Sequence, residues 1–554
     1  MSAESMVWAG RDRMQTPRKL KAAADKLFTS GVNHVVYHGF PYRTGDAAYG
    51  EADWHPFSSP FGGTGTYSTH VGETDPFWAD FDALNRYVGR CQTLLRLGRP
   101  RADVAVYYPW LGIPASLARA DDLGEFLFGG AFEDEPDTGR RDLFDLVDGL
   151  FGGKHLGPVT DWLTAAWPIL QDLENRGYTW EWANAEGLAG IRADADGVAV
   201  GANRFEALLV LDVRAMPPEV ATGVAAAVEA GVPAVFLGEP PSAQPGFHQA
   251  QAGDAAVGQA MARVQAAARV MRVDLPDQVP DALVALGVEG TLRHREVPRA
   301  FRAIRRELDD GGTAIFVRNP EAQPRDLVAS PDVPCVAALW ADPWTGSVAV
   351  PGRDEAGRLI VPMAAYGSGF LLCDVPPPPA ELAGELAARA VPASVAATVP
   401  VAGWTLEVDG APVAAAAADP DGVLGDWRDA GPLADASGPG VYRASVQVPA
   451  IAAGDRVFLD LGRVDGVARV RAGDRDLGTA RVPPYRVEIP ADLAGTTVAL
   501  EVTLVVPARN GAIAAAAAGD PTVAQFAGKQ ATRIAAGLSG PVELQVRRAA
   551  NAPE

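Results

Sequence analysis

Cysteine is scarce in this sequence, with three residues among 554: Cys91, Cys335 and Cys373. Their wide spacing matches no zinc-binding pattern, and an odd count argues against a framework of disulfides. A cysteine outside such sites behaves as a small apolar side chain and is usually buried. The sequence therefore predicts three buried cysteines that are joined neither to one another nor to a metal.

Long apolar runs are also missing. No stretch reaches the roughly 18 residues that a membrane-spanning helix needs. The N-terminal sequence MSAESMVWAGRDRMQ has no basic segment followed by an apolar one, so it does not read as a signal peptide. These patterns predict a cytoplasmic protein if Met1 is the true start, and a periplasmic or secreted one if the natural chain begins earlier.

Basic residues are in deficit, with 48 Lys and Arg against 69 Asp and Glu, which gives a net charge of −21. Nucleic acids and anionic membranes would repel such a chain, so neither is expected as a partner. A neutral substrate such as a sugar is compatible with this charge, although the charge does not point to one.

The order of sequence patterns predicts several domains of mixed α/β and all-β structure. In residues 1–100, a helix is expected from Thr16-Pro17, because Pro is favoured in the first turn. A short β-branched strand, VNHVVYHG, follows the helix. Such a helix followed by a strand is typical of a parallel α/β array, and a second helix is expected after about Asp75.

Residues 101–375 alternate between buried strands and helices, which predicts a parallel, flavodoxin-like α/β domain with a small β-rich subregion near its end. A Pro-rich linker is expected over residues 376–400. Residues 401–554 contain many short strands separated by Gly, Pro and Asp turns, which predicts a β-sandwich.

One carboxylate and one aromatic loop could carry chemistry. Glu4 would project from the C-terminal end of a short strand, where parallel barrels hold their catalytic residues, or it is an exposed surface residue. The loop after the strand mixes aromatic, His and Glu side chains, a combination suited to sugars, although the same residues could simply pack the loop. Its members are His38, Tyr42, Trp54, His55, Tyr67, His70 and Glu73.

Other motifs are absent or weak. The glycines Gly62, Gly63 and Gly65 fit neither the phosphate-loop nor the dinucleotide pattern, and no HExxH motif supports zinc. No GxSxG motif of a serine hydrolase is present. Several residues of the third region could form a carbohydrate-contacting face, or else the core of the sandwich. They are Trp404, Asp426, Trp427, Tyr442, Asp460 and Tyr485.

Several stretches together resemble glycoside hydrolase family 106, the inverting α-L-rhamnosidases. They keep their order along the chain and are SAES, PRKLKAAADKLFTSGVNHVVYHGFPY, WHPFSSPFGGTGTYSTHVGETDPFW, LNRYVGRCQTLLRLGRPRADVAVYYP, WPILQDLENRGYTWEWAN, DPWTGS, AYGSGFLL, VFLDLGRVDGVARV and AAGLSGPVEL. Because the likeness runs through nearly the whole sequence, it is more specific than any single motif.

The resemblance implies a (β/α)₈ catalytic barrel, an α/β domain and a galactose-binding-like β-sandwich. It also implies two catalytic carboxylates and a calcium ion, an oxygen-ligated metal, near the sugar. It gives Glu4 the role of general base and His38 that of a substrate contact. Tyr42, Trp54, His70 and Glu73 follow as further substrate-binding residues, and the substrate would be a rhamnose-containing oligosaccharide or glycoside.

Only the last strand–helix–strand portion of such a barrel is expected in residues 1–100. The acid partner of Glu4 and the calcium ligands would precede Met1, which predicts weak or no hydrolysis by this chain alone and a possible separate chain carrying the other strands. Two alternatives stay open, a non-catalytic carbohydrate-binding protein and a glycosidase acting on another glycoside such as a β-galactoside.

Overall fold

The computed structural model describes most of the sequence. The described residues are 1–6, 13–37, 75–109, 158–194, 197–293, 301–376, 379, 381, 394–413, 424–429, 431–527 and 532–548. They form mixed α/β structure near the N-terminus and in the middle of the chain, followed by antiparallel β-structure.

The N-terminal part is a strand–helix–strand unit followed by a second helix. Its elements are β1 (Ser2–Ser5), α1 (Pro17–Thr29), β2 (His34–Tyr37) and α2 (Phe81–Leu94). The predicted start of α1 is confirmed, because Thr16 accepts a hydrogen bond from the backbone N–H of Lys19 and Pro17 occupies the first turn. The strands β1 and β2 pair in parallel.

The helices α1 and α2 are held against the middle part of the chain by a shared apolar core. Their inward faces pack on three strands of the large sheet described below. The main contributors are Leu20, Ala24, Phe28, Leu84, Tyr87, Val88, Ile304, Phe316 and Phe370. Burial of this apolar surface is the main stabilising contribution at the contact.

A buried polar network lies within that core. Lys21 donates to Asp25 at 2.8 Å and to the hydroxyl of Ser368 at 2.7 Å. The hydroxyl of Tyr87 donates to Asp25 and contacts Ser368 at 2.8 Å. Each polar group here has a partner, which offsets the cost of placing charges in an apolar interior. The network fixes the register of α1 and α2 against the sheet.

The middle part begins with a parallel α/β arrangement. Its strands are β3 (Arg99–Tyr107), β4 (Trp180–Ala183), β5 (Arg192–Asp194), β6 (Gly197–Val200), β7 (Asn203–Leu211), β8 (Ala234–Leu237) and β9 (Val270–Val273). Its helices are α3 (Pro158–Asn175), α4 (Ala185–Ala189), α5 (Pro218–Glu229), α6 (Ala250–Ala266) and α7 (Val279–Ala285). The parallel strands lie in the order β4-β3-β7-β8-β9, which is the strand order of flavodoxin.

The same sheet continues into the predicted β-rich subregion. The strands that follow are β10 (Arg302–Glu307), β11 (Thr313–Arg318), β12 (Arg325–Ala329), β13 (Ala338–Asp342), β14 (Ser347–Ala349), β15 (Gly352–Arg353), β16 (Leu359–Met363) and β17 (Ser368–Cys373). Because β10 pairs antiparallel with β3, both halves belong to one 12-stranded sheet. The strands β12, β16 and β15 form a separate small sheet.

The C-terminal part contains two main antiparallel sheets. Its elements are β18 (Ser394–Pro400), β19 (Thr405–Val408), β20 (Ala411–Val413), β21 (Gly440–Gln447), β22 (Asp455–Asp460), β23 (Arg463–Asp465), β24 (Val467–Ala472), β25 (Arg475–Ala480), β26 (Arg486–Ile489), β27 (Thr497–Val505), α8 (Arg509–Ala517), β28 (Gly537–Gly540) and β29 (Glu543–Arg548). The sheet orders are β18-β29-β22-β26 and β20-β19-β21-β27-β24-β25, and side chains of both enter one core.

The antiparallel structure begins earlier along the chain than the sequence predicts. The strand β18 occupies the end of the segment 376–400 that its prolines marked as a linker, and it pairs with β29. Its Ala and Thr residues give it no strong alternation of apolar and polar side chains, so its local signal is weak.

The prediction of three unbonded cysteines was wrong for two of them. Cys335 and Cys373 form a disulfide, whereas Cys91 is a free, buried thiol. The odd count argued against pairing, but one buried thiol accounts for the odd residue. The disulfide joins the segment before β13 to the end of β17.

Substituting Cys335→Ser is expected to lower the free energy of unfolding by about 3–4 kcal/mol, because the bond closes a loop of 38 residues in the unfolded chain. Urea unfolding under non-reducing conditions measures this difference. Dithiothreitol should lower the stability of the wild-type chain and leave that of the variant unchanged. A wild-type chain insensitive to dithiothreitol would contradict the presence of the bond.

Candidate functional site

The paired strands β1 and β2 present one exposed face. Glu4 stands opposite Val36 in the register, and both side chains are exposed, with Val36 at 44%. Two residues earlier in each strand, the hydroxyl of Ser2 and Nδ1 of His34 lie 2.9 Å apart. Since side chains alternate across a strand, Ser2, Glu4, His34 and Val36 project from the same face.

The opposite face of the pair rests on α2. The side-chain oxygen of Gln92 accepts a hydrogen bond from the backbone N–H of Val35 at 2.7 Å. The hydroxyl of Tyr37 donates to the side chain of Asn85 at 3.0 Å. These contacts fix the orientation of the exposed face that carries Glu4.

A buried contact joins the residues that precede α1 and α2. Gln15, just before α1, donates from Nε2 to Oδ2 of Asp75 at 2.5 Å. The other carboxylate oxygen of Asp75 accepts from the backbone N–H of Phe77 at 2.7 Å. Gln15 and Asp75 are both more than nine-tenths buried. The contact therefore ties the segment after Glu4 to the segment after the aromatic loop.

Burial raises the pKa of Asp75 to about 7. The hydrogen bonds from Phe77 and Gln15 and the charge of Arg13 act in the opposite direction but do not cancel the effect of burial, and nearby Asp80 adds to it. Asp75 is therefore a carboxyl group that exchanges its proton near neutral pH, at the end of the strands where parallel folds hold their functional residues.

The C-terminal part of the chain is anchored at the same end. Asp80, which is 1% exposed, accepts from Arg481 at 2.7 Å and from Arg469 at 3.1 Å. The guanidinium of Arg13 lies over the ring of Phe526, 5.7 Å from its centroid. The C-terminal part of the chain thus contributes charged and aromatic side chains to the surroundings of the candidate site.

The structure describes one of the six predicted site residues, Glu4. The other five belong to the aromatic loop and lie outside the described residues. They are His38, Tyr42, Trp54, His70 and Glu73. Whether they converge on Glu4 stays a prediction, although β2 ends at Tyr37, directly before His38.

A calcium site does not emerge from the part of the chain that the structure describes, where no group of three or more His, Cys, Asp or Glu side chains could hold a metal. The described side chains beside Glu4 on its face are those of Ser2, His34 and Val36, none of them a carboxylate. The described residues therefore do not fit the oxygen-rich coordination that calcium requires.

The proposed carbohydrate face of the third region is not supported for its aromatic members. Trp404, Trp427, Tyr442 and Tyr485 are all less than 5% exposed, and Nε1 of Trp427 donates to the hydroxyl of Tyr442 at 2.7 Å. They pack the core between the sheets. The acidic members of the set form ion pairs, Asp426 with Arg428 and Asp460 with Arg486.

Sequence reasoning missed the buried carboxylates at this end of the unit. Asp75 was named above only as the approximate start of a helix, Asp80 was not singled out, and the partners of both are remote in sequence. No local pattern links Asp75 to Gln15, or Asp80 to Arg469 and Arg481.

Among the described helices, none has the length and apolar character to cross a membrane.

Comparisons with known proteins add a structural likeness. No family model matches the sequence, and no curated protein matches it either. A rhamnosidase from Novosphingobium sp. PP1Y has a similar structure, with a TM-score of 0.64 and 20% sequence identity over 99% of this chain. This chain spans 47% of the length of that rhamnosidase.

Two β-glucuronidase structures match only in part and carry no argument. The one from Bifidobacterium dentium has a TM-score of 0.20 and 22% identity, covering 28% of this chain and 31% of that one. The one from Faecalibacterium prausnitzii has a TM-score of 0.20 and 20% identity, covering 28% and 32%. The similarity to the rhamnosidase, by contrast, shows that the fold of this chain is rhamnosidase-like, with mixed α/β structure and several sheets.

Substituting Asp75→Asn is expected to flatten the pH dependence of stability. The pKa of Asp75 in the folded protein, about 7, lies above its ordinary value of 3.8, so the folded state binds the proton more tightly than the unfolded state. This contribution to stability is fully present below about pH 4 and is lost as the pH rises to about 7. Between pH 5 and 8, the free energy of unfolding of the wild-type chain should fall by about 2–3 kcal/mol, whereas that of the variant should not show this fall.

Urea unfolding at these two pH values measures the loss. Asp82→Asn is the matched control, because Asp82 lies seven residues further along the chain, in α2, with its side chain 72% exposed, and it should leave the pH dependence unchanged. Equal slopes for the wild-type chain and Asp75→Asn would show that Asp75 titrates as an ordinary carboxyl group.

Proposed function

We propose that this chain belongs to glycoside hydrolase family 106 and takes part in the inverting hydrolysis of terminal α-L-rhamnosides. The observation that supports this most is the similarity of nearly the whole chain to a rhamnosidase structure. The ordered sequence likeness described above points the same way. The substrate would be a rhamnose-containing oligosaccharide or glycoside.

In this proposal, β1, α1 and β2 are the last strand–helix–strand unit of a (β/α)₈ barrel. Two features support it. The strands β1 and β2 are parallel with α1 between them along the chain, and one face of the pair carries exposed Glu4 beside Ser2 and His34. In such barrels, the active site lies at the carboxyl ends of the strands. The remaining strands would come from a preceding segment or from a separate chain.

Glu4 is the general base of the proposed reaction. In an inverting hydrolysis, it removes a proton from a water molecule, and the oxygen of that water attacks the anomeric carbon from the face opposite the leaving group. A second carboxylic acid donates its proton to the glycosidic oxygen as the bond to the leaving group breaks. The two carboxyl groups stand about 6.5–9.5 Å apart in such enzymes, which leaves room for the water.

The acid partner and the substrate contacts lie outside the described residues in this proposal. His38, Tyr42, Trp54, His70 and Glu73 would bind the sugar through ring stacking and hydroxyl contacts. Calcium is proposed only as the resemblance implies it, with ligands elsewhere, since the described residues do not fit it. The middle domain and the antiparallel domain would frame the site, the latter as a galactose-binding-like sandwich.

A periplasmic or secreted location is part of the proposal. The Cys335–Cys373 disulfide supports it, because such bonds persist in oxidising compartments and are rare in the cytosol.

A second candidate function is sugar binding without turnover. It is favoured by the described residues that share the exposed face with Glu4, which are Ser2, His34 and Val36 and include no second carboxylic acid of the kind that inversion requires. One carboxylate cannot serve as acid and base in the same step.

Hydrolysis of an aryl α-L-rhamnoside by the purified chain, alone and together with a segment that supplies the remaining barrel strands, tests the proposal. The chain alone should show weak or no turnover, and Glu4→Gln is expected to lower the rate of the completed enzyme by a factor on the order of 10²–10⁴, because the amide cannot accept the proton of water. Glu355→Gln, the same change at an exposed position in the middle domain, is the control and should leave the rate unchanged.

A chelator-treated sample and an aryl β-D-galactoside accompany the assay. Turnover that Glu4→Gln leaves intact would overturn the role of Glu4, and turnover of the galactoside alone would overturn the rhamnoside. Binding of rhamnose without turnover, equal in the wild-type chain and Glu4→Gln, would establish the second candidate instead.

A further inference from the structure

A cleft lies between the start of α1 and the C-terminal domain. Arg18 and Lys19 of the first turn of α1 line one side of it. Arg428, Arg463 and Asp465 of the C-terminal domain line the other side. Four of these five side chains are basic, although the whole chain has a net charge of −21.

Two arginines of the cleft are held from the side by their own aspartates. Asp426 accepts through Oδ2 from Nε of Arg428 at 2.9 Å and from Nη2 at 2.6 Å. Asp465 accepts from Nε of Arg463 at 2.9 Å. Asp465 is 8% exposed, whereas the side chain of Arg463 is 59% exposed. Each aspartate thus fixes a guanidinium without covering its outer edge.

The outer edges of these guanidinium groups carry N–H donors that their aspartate partners do not use. A guanidinium carries five N–H donors, and no described residue accepts from Nη1 or Nη2 of Arg463. Two parallel N–H bonds from such an edge match the geometry of a carboxylate, which is why arginine recognises carboxylates so well. An arginine side chain that an aspartate already orients loses less conformational freedom when it binds a carboxylate.

The acidic side chains nearby do not cancel the positive charge of the cleft. Asp426, Asp429 and Asp465 are the acidic groups that act on Arg428, and Asp465 pairs with Arg463. Arg18 also lies over the ring of Tyr366, at 5.3 Å from its centroid. Among the described side chains in and around the cleft, four are basic, Arg18, Lys19, Arg428 and Arg463, and three are acidic, so the described cleft carries more basic than acidic groups.

The cleft lies at the carboxyl end of the β1–β2 unit. The first turn of α1 follows the loop that leaves β1, so Arg18 and Glu4 flank the same connection. In a parallel strand–helix–strand unit the helix begins on the side of the carboxyl ends of the strands, which is where the proposed function places the substrate. In that proposal, a substrate bound at Glu4 would lie on the same side of the unit as Arg428 and Arg463.

We propose that this cleft binds the carboxylate of a uronic acid residue on the leaving-group side of the substrate. The proposal deepens the function proposed above and rests on it for the position of the scissile bond. It predicts a preference for acidic glycosides, in which Arg463 and Arg428 pair with the uronate while the rhamnosyl residue lies at Glu4.

Binding of two matched disaccharides tests this without requiring turnover. One has α-L-rhamnose linked to D-glucuronate, and the other has the same linkage to D-glucose. Isothermal titration at low salt should show at least about tenfold tighter binding of the acidic disaccharide, because a carboxylate paired with arginine is a charge-assisted contact. The preference should shrink as salt is added.

Arg463→Gln should remove most of that preference and leave binding of the neutral disaccharide unchanged. Arg475→Gln is the matched control, since Arg475 is an equally exposed arginine of the same domain paired with Asp492, and it should keep the preference. Arg463→Lys keeps the charge without the paired donors and should give an intermediate value. Circular dichroism establishes that the variants are folded.

The outcomes separate this proposal from the general one. Equal binding of the two disaccharides, or equal effects of Arg463→Gln and Arg475→Gln, would overturn the uronate site even if rhamnosides are hydrolysed in a Glu4-dependent way. A preference that depends on Arg463 in a chain without any hydrolysis would sustain the site whether or not the enzymatic function holds. Binding of inorganic phosphate as tight as that of the acidic disaccharide would overturn the assignment to a sugar.

Discussion

The candidate site depends on the burial of two helices against the large sheet. A pair of parallel strands with only each other as neighbours cannot sustain itself in water. Here α1 and α2 cover one face of β1 and β2 and bury their other sides on β10, β11 and β17. The network of Lys21, Asp25, Tyr87 and Ser368 fixes that contact, and so the exposed orientation of Glu4 is imposed by the middle domain.

Two acidic side chains five residues apart show how surroundings set the behaviour of a carboxyl group. Asp80 is buried with two arginines as partners, so its negative charge is compensated. Asp75 is buried with an amide and a backbone N–H, and burial raises its pKa to about 7. The first therefore joins the N-terminal and C-terminal parts of the chain through ion pairs, whereas the second makes the contact between Gln15 and Asp75 sensitive to pH.

Features with a local signal could be predicted from the sequence. The start of α1 follows from Thr16 and Pro17. The strands of the C-terminal part follow from short runs separated by Gly, Pro and Asp turns, and β21 is one of these strands. The Cys335–Cys373 bond and the pairs of Asp80 could not be predicted, because residues far apart in sequence form them. For the candidate site, Glu4 was placed correctly at a parallel strand, and the role assigned to it stays a proposal.

The two ion pairs of Asp80 also determine when the site can assemble during synthesis. Arg469 and Arg481 follow Asp80 by 389 and 401 residues. A ribosome must therefore complete most of the chain before this carboxylate meets its partners. Until then, the nascent segment around Asp80 carries an uncompensated charge that favours solvent over a folded interior. Loops of this length close slowly, so the surroundings of Asp80 are among the last parts of the structure to reach their final positions.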